Sequence, residues 1–87
     1  MSSRYKIIFA PTAEKQFLNL NRLVRVRIAA AIAKLADEPL LGKPLKGQLK
    51  EYRSYRVGDY RVIYYIKQRE ILVYVVAVAH RRDVYRQ

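Results

Sequence analysis

The chain has 87 residues, and its 52% hydrophobic content is enough to fold one small domain and excludes wholesale disorder. Its 18 Lys and Arg residues against 7 Asp and Glu residues give a formal net charge of +11, which predicts a polyanion or an acidic protein as partner. The chain has no cysteine, which excludes disulfides and thiolate catalysis, and its single histidine, His80, excludes a two-histidine ribonuclease mechanism.

The N-terminal half predicts one strand followed by two helices. Residues 4–9 have the pattern of a short strand, and Thr12 can cap the first helix. The apolar face of that helix is predicted to consist of Ala13, Phe17 and Leu20. After a joint at residues 19–22, a stripe with period four predicts the second helix: Val24, Ile28, Ile32 and Leu35. We expect Pro39 to end that helix.

The C-terminal half predicts a loop and then three strands. Residues 40–51 carry Gly and Pro signals and are expected to form an exposed basic loop. Strand patterns follow at residues 52–57, 60–67 and 71–79, with a two-residue Gly58-Asp59 turn between the first two and a turn at 68–70 before the third. The third is almost continuously apolar, so we expect a central strand covered on both faces. The tail from Arg82 is expected to form one helical turn.

These elements give the order βααβββ in a single domain spanning residues 1–87. The predicted fold class is α+β, with the N-terminal helical hairpin packed on one face of a mostly antiparallel sheet. The first ten residues lack the long apolar core of a signal peptide, and no apolar run approaches the roughly 18 residues needed to span a bilayer. We therefore expect a soluble, cytoplasmic protein with no membrane partner.

The predicted hairpin at residues 52–65 carries tyrosines and arginines on both arms, and residues 80–85 repeat this mixture. Arginine pairs with phosphate in a bidentate fashion, and aromatic rings stack on unstacked bases, so the composition favours an RNA ligand. Because side chains alternate along a strand, both sheet faces receive tyrosines, as expected for one face under helices and one wet groove. With the last strand ending at Ala79, Arg81 and Arg82 should emerge at the same sheet edge as Arg61.

The acidic residues restrict the chemistry that this groove could perform. They are scattered singly along the sequence, as Glu14, Asp37, Glu38, Glu51, Asp59, Glu70 and Asp83. A two-metal nuclease needs clustered carboxylates, so any RNA cleavage is expected to be metal-independent, with the 2′-hydroxyl of the RNA as nucleophile. Arginine can hold the phosphate but cannot act as a base. The proton shuttle must then be His80, Tyr85 or a lysine, and the residues alone leave these alternatives open.

Three segments carry a resemblance to a known family: YRVGDYRVIYYI in the hairpin, GKPLKG upstream, and AHRRDVYR at the end. Together with the βαα start, they resemble the RelE branch of the RelE/ParE toxin superfamily over nearly the whole chain. The resemblance implies the toxin of a bacterial or archaeal type II toxin–antitoxin pair. Such a toxin is expected to cleave mRNA in the ribosomal A site without a cofactor. Its implied partners are the ribosome, mRNA and a small RelB-like or other antitoxin, with DNA reached only through that antitoxin.

The resemblance also implies roles for individual residues. Arg61 resembles the phosphate-binding arginine of the second hairpin arm, and Arg81 the arginine that stabilises the phosphate or leaving group. Tyr85 resembles the C-terminal tyrosine that stacks on a base or assists proton transfer. Arg56 lies where a basic residue often precedes the turn. The family's best-known branch has lysines on the first arm, whereas Ser54 and Arg56 occupy these places here.

That departure leaves the general base open and makes His80 a candidate for the role. Further contacts with RNA or the ribosome are expected from six residues: Lys43, Lys46, Lys50, Arg53, Ser54 and Arg82. Two other functions remain as alternatives, namely a ParE-like poison of DNA gyrase and a non-catalytic module that binds RNA or the ribosome. The concentration of Arg and Tyr in the hairpin and the C-terminal segment favours the nuclease.

Overall fold

The computed structural model describes residues 4–84, which form a five-stranded sheet and three α-helices. The strands are β1 (Lys6–Phe9), β2 (Lys43–Pro44), β3 (Arg53–Val57), β4 (Tyr60–Lys67) and β5 (Leu72–His80). The helices are α1 (Pro11–Leu18), α2 (Arg22–Asp37) and the short α3 (Arg81–Val84), and 3-10 turns lie at Pro39–Leu41 and Gly47–Leu49. The sheet order is β1-β5-β4-β3-β2, in which β1 is parallel to β5 and all other neighbours are antiparallel. The predicted α+β class is confirmed.

The first helix begins two residues earlier than the sequence predicted. Pro11 occupies its first turn, where the missing N–H group would have had no partner in the helix and the fixed φ suits helical geometry. Ala10 is the N-cap and supplies no side-chain hydrogen bond. The predicted cap at Thr12 is therefore wrong, because Thr12 already lies inside the helix.

The second helix is capped at its start by a residue that the pattern placed only in a joint. The side chain of Asn21 accepts a hydrogen bond from the backbone nitrogen of Val24, at 3.0 Å. The helix ends at Asp37 as predicted, because the proline at position 39 disfavours helical geometry at Glu38. Five residues of this helix are buried: Ile28, Ala31, Ile32, Leu35 and Ala36.

The core lies between these two helices and one face of the sheet. Ala13 of α1 and three residues of α2, Ile28, Ile32 and Leu35, pack against side chains of β4 and β5, namely Val62, Tyr64, Val73, Val75 and Val78. Tyr64 is the largest fully buried side chain among them. The described helices thus cover one sheet face, which we call the helix face. We call the opposite face the open face.

The hairpin between β3 and β4 forms as predicted. Its register pairs Val57 with Tyr60 and Arg56 with Arg61 across the two-residue turn. Gly58 has a φ of +63°, in the left-handed region that glycine adopts without a steric penalty. The hairpin arms therefore present Arg56 and Arg61 side by side on the open face.

A β-bulge in β5 changes which side chains face the helices. Ile63 pairs with Ala77 whereas Tyr64 pairs with Val75, so Val76 is an extra residue on β5. Beyond it, Val78 lies on the helix face and Ala79 on the open face. The backbone nitrogen of Val78 donates a 2.7 Å hydrogen bond to Oε1 of Gln16 in α1. The bulge therefore sets the direction in which the chain leaves the sheet at Arg81.

Two predictions about the second half of the chain were wrong. The segment 40–51 is not only a loop, since Lys43 and Pro44 form β2 and pair with β3. The third predicted strand is interior to the sheet, but within residues 4–84 no helix covers its open face, where Tyr74 is only half-buried. No helix in the described range is long and apolar enough to cross a bilayer.

Candidate active site

A cavity of about 530 Å³ lies beside β2, β3 and β4, where their basic side chains meet on the open face. Its charged and hydroxyl-bearing lining consists of Lys43, Lys46, Ser54, Tyr55, Arg56 and Arg61. Within the described residues, no Asp or Glu side chain lines it. Clustered cations without a neighbouring acid create a strongly positive potential, so the cavity suits a phosphate group.

Arg61 lies at the inner side of this cavity. It is half-buried, and its Nη1 donates a 3.3 Å hydrogen bond to Oγ of Ser54 on the adjacent strand. Its cross-strand neighbour on the other side is Ala79, whose small side chain leaves room on the open face. Ser54 is only 7% exposed and forms part of the cavity floor. The guanidinium is thus held by the sheet and directed toward the cavity.

A second, smaller cavity of about 50 Å³ brings a third arginine to the same place. It is lined by Arg56, Gly58, Tyr60, Arg61 and Arg81. The backbone nitrogen of Arg81 donates to the carbonyl oxygen of Asp59 at 2.7 Å, which fixes the start of α3 against the hairpin turn. The structure therefore unites Arg56, Arg61 and Arg81, and it confirms that Arg81 leaves the sheet beside Arg61.

The lysine-bearing strand β2 is held by a buried tyrosine. The hydroxyl of Tyr64 donates to the carbonyl oxygen of Pro39 at 2.6 Å and accepts from the backbone nitrogen of Gly42 at 2.9 Å. A Cβ atom at Gly42 would lie 2.6 Å from that hydroxyl, so the close approach requires glycine. These contacts fix the residue that directly precedes Lys43.

Arg53 takes part in the same arrangement and not in the cavity. It pairs with Tyr64 across the hairpin, and its Nη1 donates to the carbonyl oxygens of Gly42 and Leu40. Because strand alternation places it on the helix face, the expectation that Arg53 contacts RNA in the groove is not supported by its position. Its placement assigns it to holding the 39–44 segment.

Several other expected site residues lie apart from the arginines. His80 pairs with Tyr60, whose ring packs edge-on against the imidazole at 5.1 Å. The bulge places both on the helix face, opposite Arg61, and Nδ1 of His80 accepts from the backbone nitrogen of Arg82. Arg82 and Lys50 are exposed and line neither cavity. Tyr85 lies outside the described residues.

Comparison with known proteins places this geometry in a family. Residues 7–85 match the family model described as the ParE toxin of the type II toxin–antitoxin system parDE. The chain is 35% identical over 85 residues to Toxin RelG of Mycobacterium tuberculosis, covering 95% of this chain and 98% of RelG. It is 36% identical over 88 residues to Toxin RelE of the same organism, covering 94% and 87%. The chain belongs to the RelE/ParE superfamily of type II toxins.

Solved structures of the superfamily have the same fold as this toxin. The toxin–antitoxin complex RelBE2 from M. tuberculosis contains a chain with a TM-score of 0.84 and 30% identity, with 92% of this toxin and 94% of that chain covered. The isolated E. coli RelE toxin gives a TM-score of 0.78 at 20% identity, with 87% and 83% covered. The RelE-like fold expected from the sequence is therefore confirmed.

The pKa of the Tyr64 phenol is shifted by its buried position. Burial raises the pKa of its phenol above the usual value, and this effect outweighs the opposing hydrogen bond from Gly42 and the charge of Arg53. The neutral phenol is the form that can donate to Pro39. Burial and the hydrogen bond to Pro39 therefore both favour the protonated side chain, against the weaker effects of Gly42 and Arg53.

The sequence did not reveal the residues that hold this site in place. The hydrogen bonds of Tyr64 to Pro39 and Gly42 join residues 22 or more positions apart and leave no local signal. Gln16 was likewise unassigned. Among residues 4–84 no group of three His, Cys, Asp or Glu side chains is placed to hold a metal ion.

Proposed function

We propose that this toxin is a ribosome-dependent endoribonuclease that cleaves mRNA in the A site. The observation that carries the proposal is the acid-free cavity in which Arg56 and Arg61 meet, with Arg81 beside them. Three guanidinium groups at the same end of the sheet, beside the hairpin turn, suit a crowded phosphate better than they suit a protein surface. The similarity to RelE and RelG toxins supports the same conclusion.

The proposed reaction is a metal-independent transesterification of RNA. The 2′-oxygen loses its proton to a base and attacks the adjacent phosphorus, and the bond from phosphorus to the 5′-oxygen breaks. The 5′-oxygen then takes up a proton, which leaves a 2′,3′-cyclic phosphate and a 5′-hydroxyl. Negative charge grows on the phosphate oxygens during this step, and fixed cations stabilise it most where they need no rearrangement.

The side chains have distinct proposed roles in this reaction. Arg61 holds a non-bridging phosphate oxygen, since its guanidinium is already oriented by Ser54. Arg81 lies at the start of α3 and stabilises the phosphate or the leaving oxygen, and Arg56 adds charge at the hairpin turn. Tyr85 remains the proposed base-stacking or proton-transfer residue. His80 is a weaker candidate for the shuttle, because its ring packs on Tyr60 across the sheet from Arg61.

A second candidate function is a ParE-like poison of DNA gyrase. It is favoured by the description of the matching family model, which names the ParE toxin. The relatives that span almost the whole chain are RelG and RelE toxins, and the arginine cavity suits an RNA phosphate better than a surface of gyrase. We therefore rank the gyrase poison second and non-catalytic RNA or ribosome binding third.

A translation extract separates these functions. Wild-type toxin and Arg61→Ala are added to mRNA with and without ribosomes, and cut positions are mapped by primer extension. We expect cuts within codons that require ribosomes and disappear in Arg61→Ala, while Arg69→Ala, which removes an exposed arginine from the turn after β4, cleaves normally. Intact mRNA with wild-type toxin would contradict the nuclease, and gyrase-mediated DNA breaks unaffected by Arg61→Ala would support the second candidate.

We also propose a small, partly acidic antitoxin as the partner. The RelBE2 and E. coli RelBE structures are complexes of related toxins with antitoxins, and the charge of +11 favours an acidic segment that folds on binding. The antitoxin is expected to cover Arg61 or to displace the C-terminal turn. Amide hydrogen exchange on the co-expressed complex would distinguish these modes, since only the first protects the hairpin around Arg61.

A further inference from the structure

Lys43 is positioned by the sheet itself and not by a free loop. It pairs with Ser54 across the β2–β3 ladder, so its side chain starts from the open face directly beside the cavity floor. Directly opposed residues in an antiparallel pair have Cβ atoms about 4.5–5.5 Å apart. Ser54 is also the residue that accepts the hydrogen bond from Arg61. Lys43 and Arg61 therefore flank the same small side chain from two neighbouring strands.

The backbone before Lys43 is fixed from the core side. Gly42 is bonded through its nitrogen to Tyr64 and through its oxygen to Arg53, and both partners lie on the helix face. A lysine on a backbone held in this way loses less freedom when it binds an anion than one on a mobile segment. The ammonium group is then available to a ligand in the cavity at a low entropic cost.

The other lysines of this segment are placed differently. Lys46 also lines the cavity, but it lies beyond the last sheet hydrogen bond, which runs from Leu45 to Tyr52, and it precedes a 3-10 turn. Lys50 ends that turn, is exposed and does not line the cavity. Of these three, only Lys43 lies on the ladder beside Ser54.

We propose that Lys43 is a further catalytic residue, whose ammonium group contacts the scissile phosphate from the side opposite Arg81. This inference rests on the proposed nuclease function. The first hairpin arm has the uncharged Ser54 at this place, and Lys43 on β2 supplies a cation beside it. The role is electrostatic: Lys43 keeps its protons throughout and stabilises the charge that grows on the phosphate oxygen. Tyr64, Gly42 and Arg53 act as positioning residues that hold Lys43 in place.

Single-turnover cleavage of ribosome-bound mRNA tests this role. The rate at saturating ribosome and the ribosome concentration giving half of that rate are measured for wild type, Lys43→Ala, Lys43→Arg and Lys15→Ala. Lys15 is an exposed lysine of α1 far from the cavity in the fold, so Lys15→Ala removes the same charge elsewhere. We expect Lys43→Ala to lower the saturating rate about 100-fold, as for loss of a preorganised charge donor. Lys43→Arg should retain clearly more of the rate than Lys43→Ala, because the positive charge is kept and a guanidinium also binds phosphate.

The outcomes separate this inference from the proposed function. If wild type cleaves and Lys43→Ala matches Lys15→Ala, Lys43 has no catalytic role and the nuclease function stands. A loss seen only in the half-saturating ribosome concentration would make Lys43 a ribosome contact and overturn the inference. Inactivity of Lys43→Arg equal to that of Lys43→Ala would contradict the electrostatic role. Absence of cleavage by wild type would overturn the proposed function and the inference together.

Discussion

Replacing Tyr64 by Phe removes one hydroxyl that joins the core to the segment before β2. The hydroxyl makes two hydrogen bonds, to the carbonyl of Pro39 and from the nitrogen of Gly42. The ring itself stays packed, since phenylalanine keeps its shape, so hardly any cavity forms. The change therefore isolates the polar contacts.

The cost follows from the burial of the two partners. Loss of the bond to Pro39, which is partly accessible to water, costs about 0.5–1.5 kcal/mol. The bond from Gly42 is buried, and its nitrogen is left without the phenol as acceptor, which costs about 1–3 kcal/mol. We expect Tyr64→Phe to lower the free energy of unfolding by roughly 1.5–4.5 kcal/mol, a large part of the about 5–15 kcal/mol of a typical domain.

Urea denaturation followed by circular dichroism measures this difference. Tyr65→Phe is the matched control, because Tyr65 lies on the open face between Tyr52 and Tyr74 and its hydroxyl makes no hydrogen bond to any residue of the range 4–84. In thermal unfolding, each kcal/mol lowers the Tm of a domain of this size by roughly 4–8 °C. If Tyr64→Phe costs no more than Tyr65→Phe, the hydroxyl does not hold the 39–44 segment, and the positioning of Lys43 loses its basis.

Three more predictions concern the pH dependence of Tyr64 and the hydrogen bonds accepted by Gln16 and Asn21. Because burial raises the pKa of Tyr64 in the folded state, its stabilising contribution is complete below the usual tyrosine pKa of 10.0 and is lost as pH rises through the higher folded value. Unfolding measured between about pH 9 and pH 11 should therefore show a steeper loss of stability in wild type than in Tyr64→Phe, and equal slopes would refute this. Gln16→Ala should lower the unfolding free energy by about 1–3 kcal/mol because the nitrogen of Val78 loses its acceptor, while Gln16→Glu, which keeps an acceptor, should cost less. Asn21→Ala should cost about 0.5–2 kcal/mol in chemical denaturation through loss of the α2 cap, and Asn19→Ala, whose side chain caps neither helix, should not.

The sequence predicted most of the fold because its signals are local. The period-four stripe of α2, the stop at Pro39 and the Gly58-Asp59 turn each depend on neighbouring residues, and each is found in the structure. The prediction at Thr12 failed because a proline at the preceding position already starts the helix. The two-residue strand β2 was missed because a strand so short has no periodicity to detect.

The arginines of the candidate site could be predicted from the sequence, but the residues that hold the site in place could not. Arg56, Arg61 and Arg81 meet because the turn and the end of β5 are local features of the sequence. The position of His80 was not predictable, since the bulge at Val76 shifts the alternation of β5 by one residue and moves the imidazole to the helix face. The hydrogen bonds of Tyr64 could not be predicted either, because its polar partners come from a distant segment of the chain.

The most direct test of the account is the cleavage product itself. Purified ribosomes carrying a defined mRNA with an empty A site are mixed with wild-type toxin or Arg61→Ala, and the RNA ends are identified under single-turnover conditions. We predict one cut within the A-site codon that leaves a 2′,3′-cyclic phosphate, and a rate lower by about 100-fold or more in Arg61→Ala. Intact mRNA with the wild-type toxin, or equal rates for the two proteins, would contradict the account.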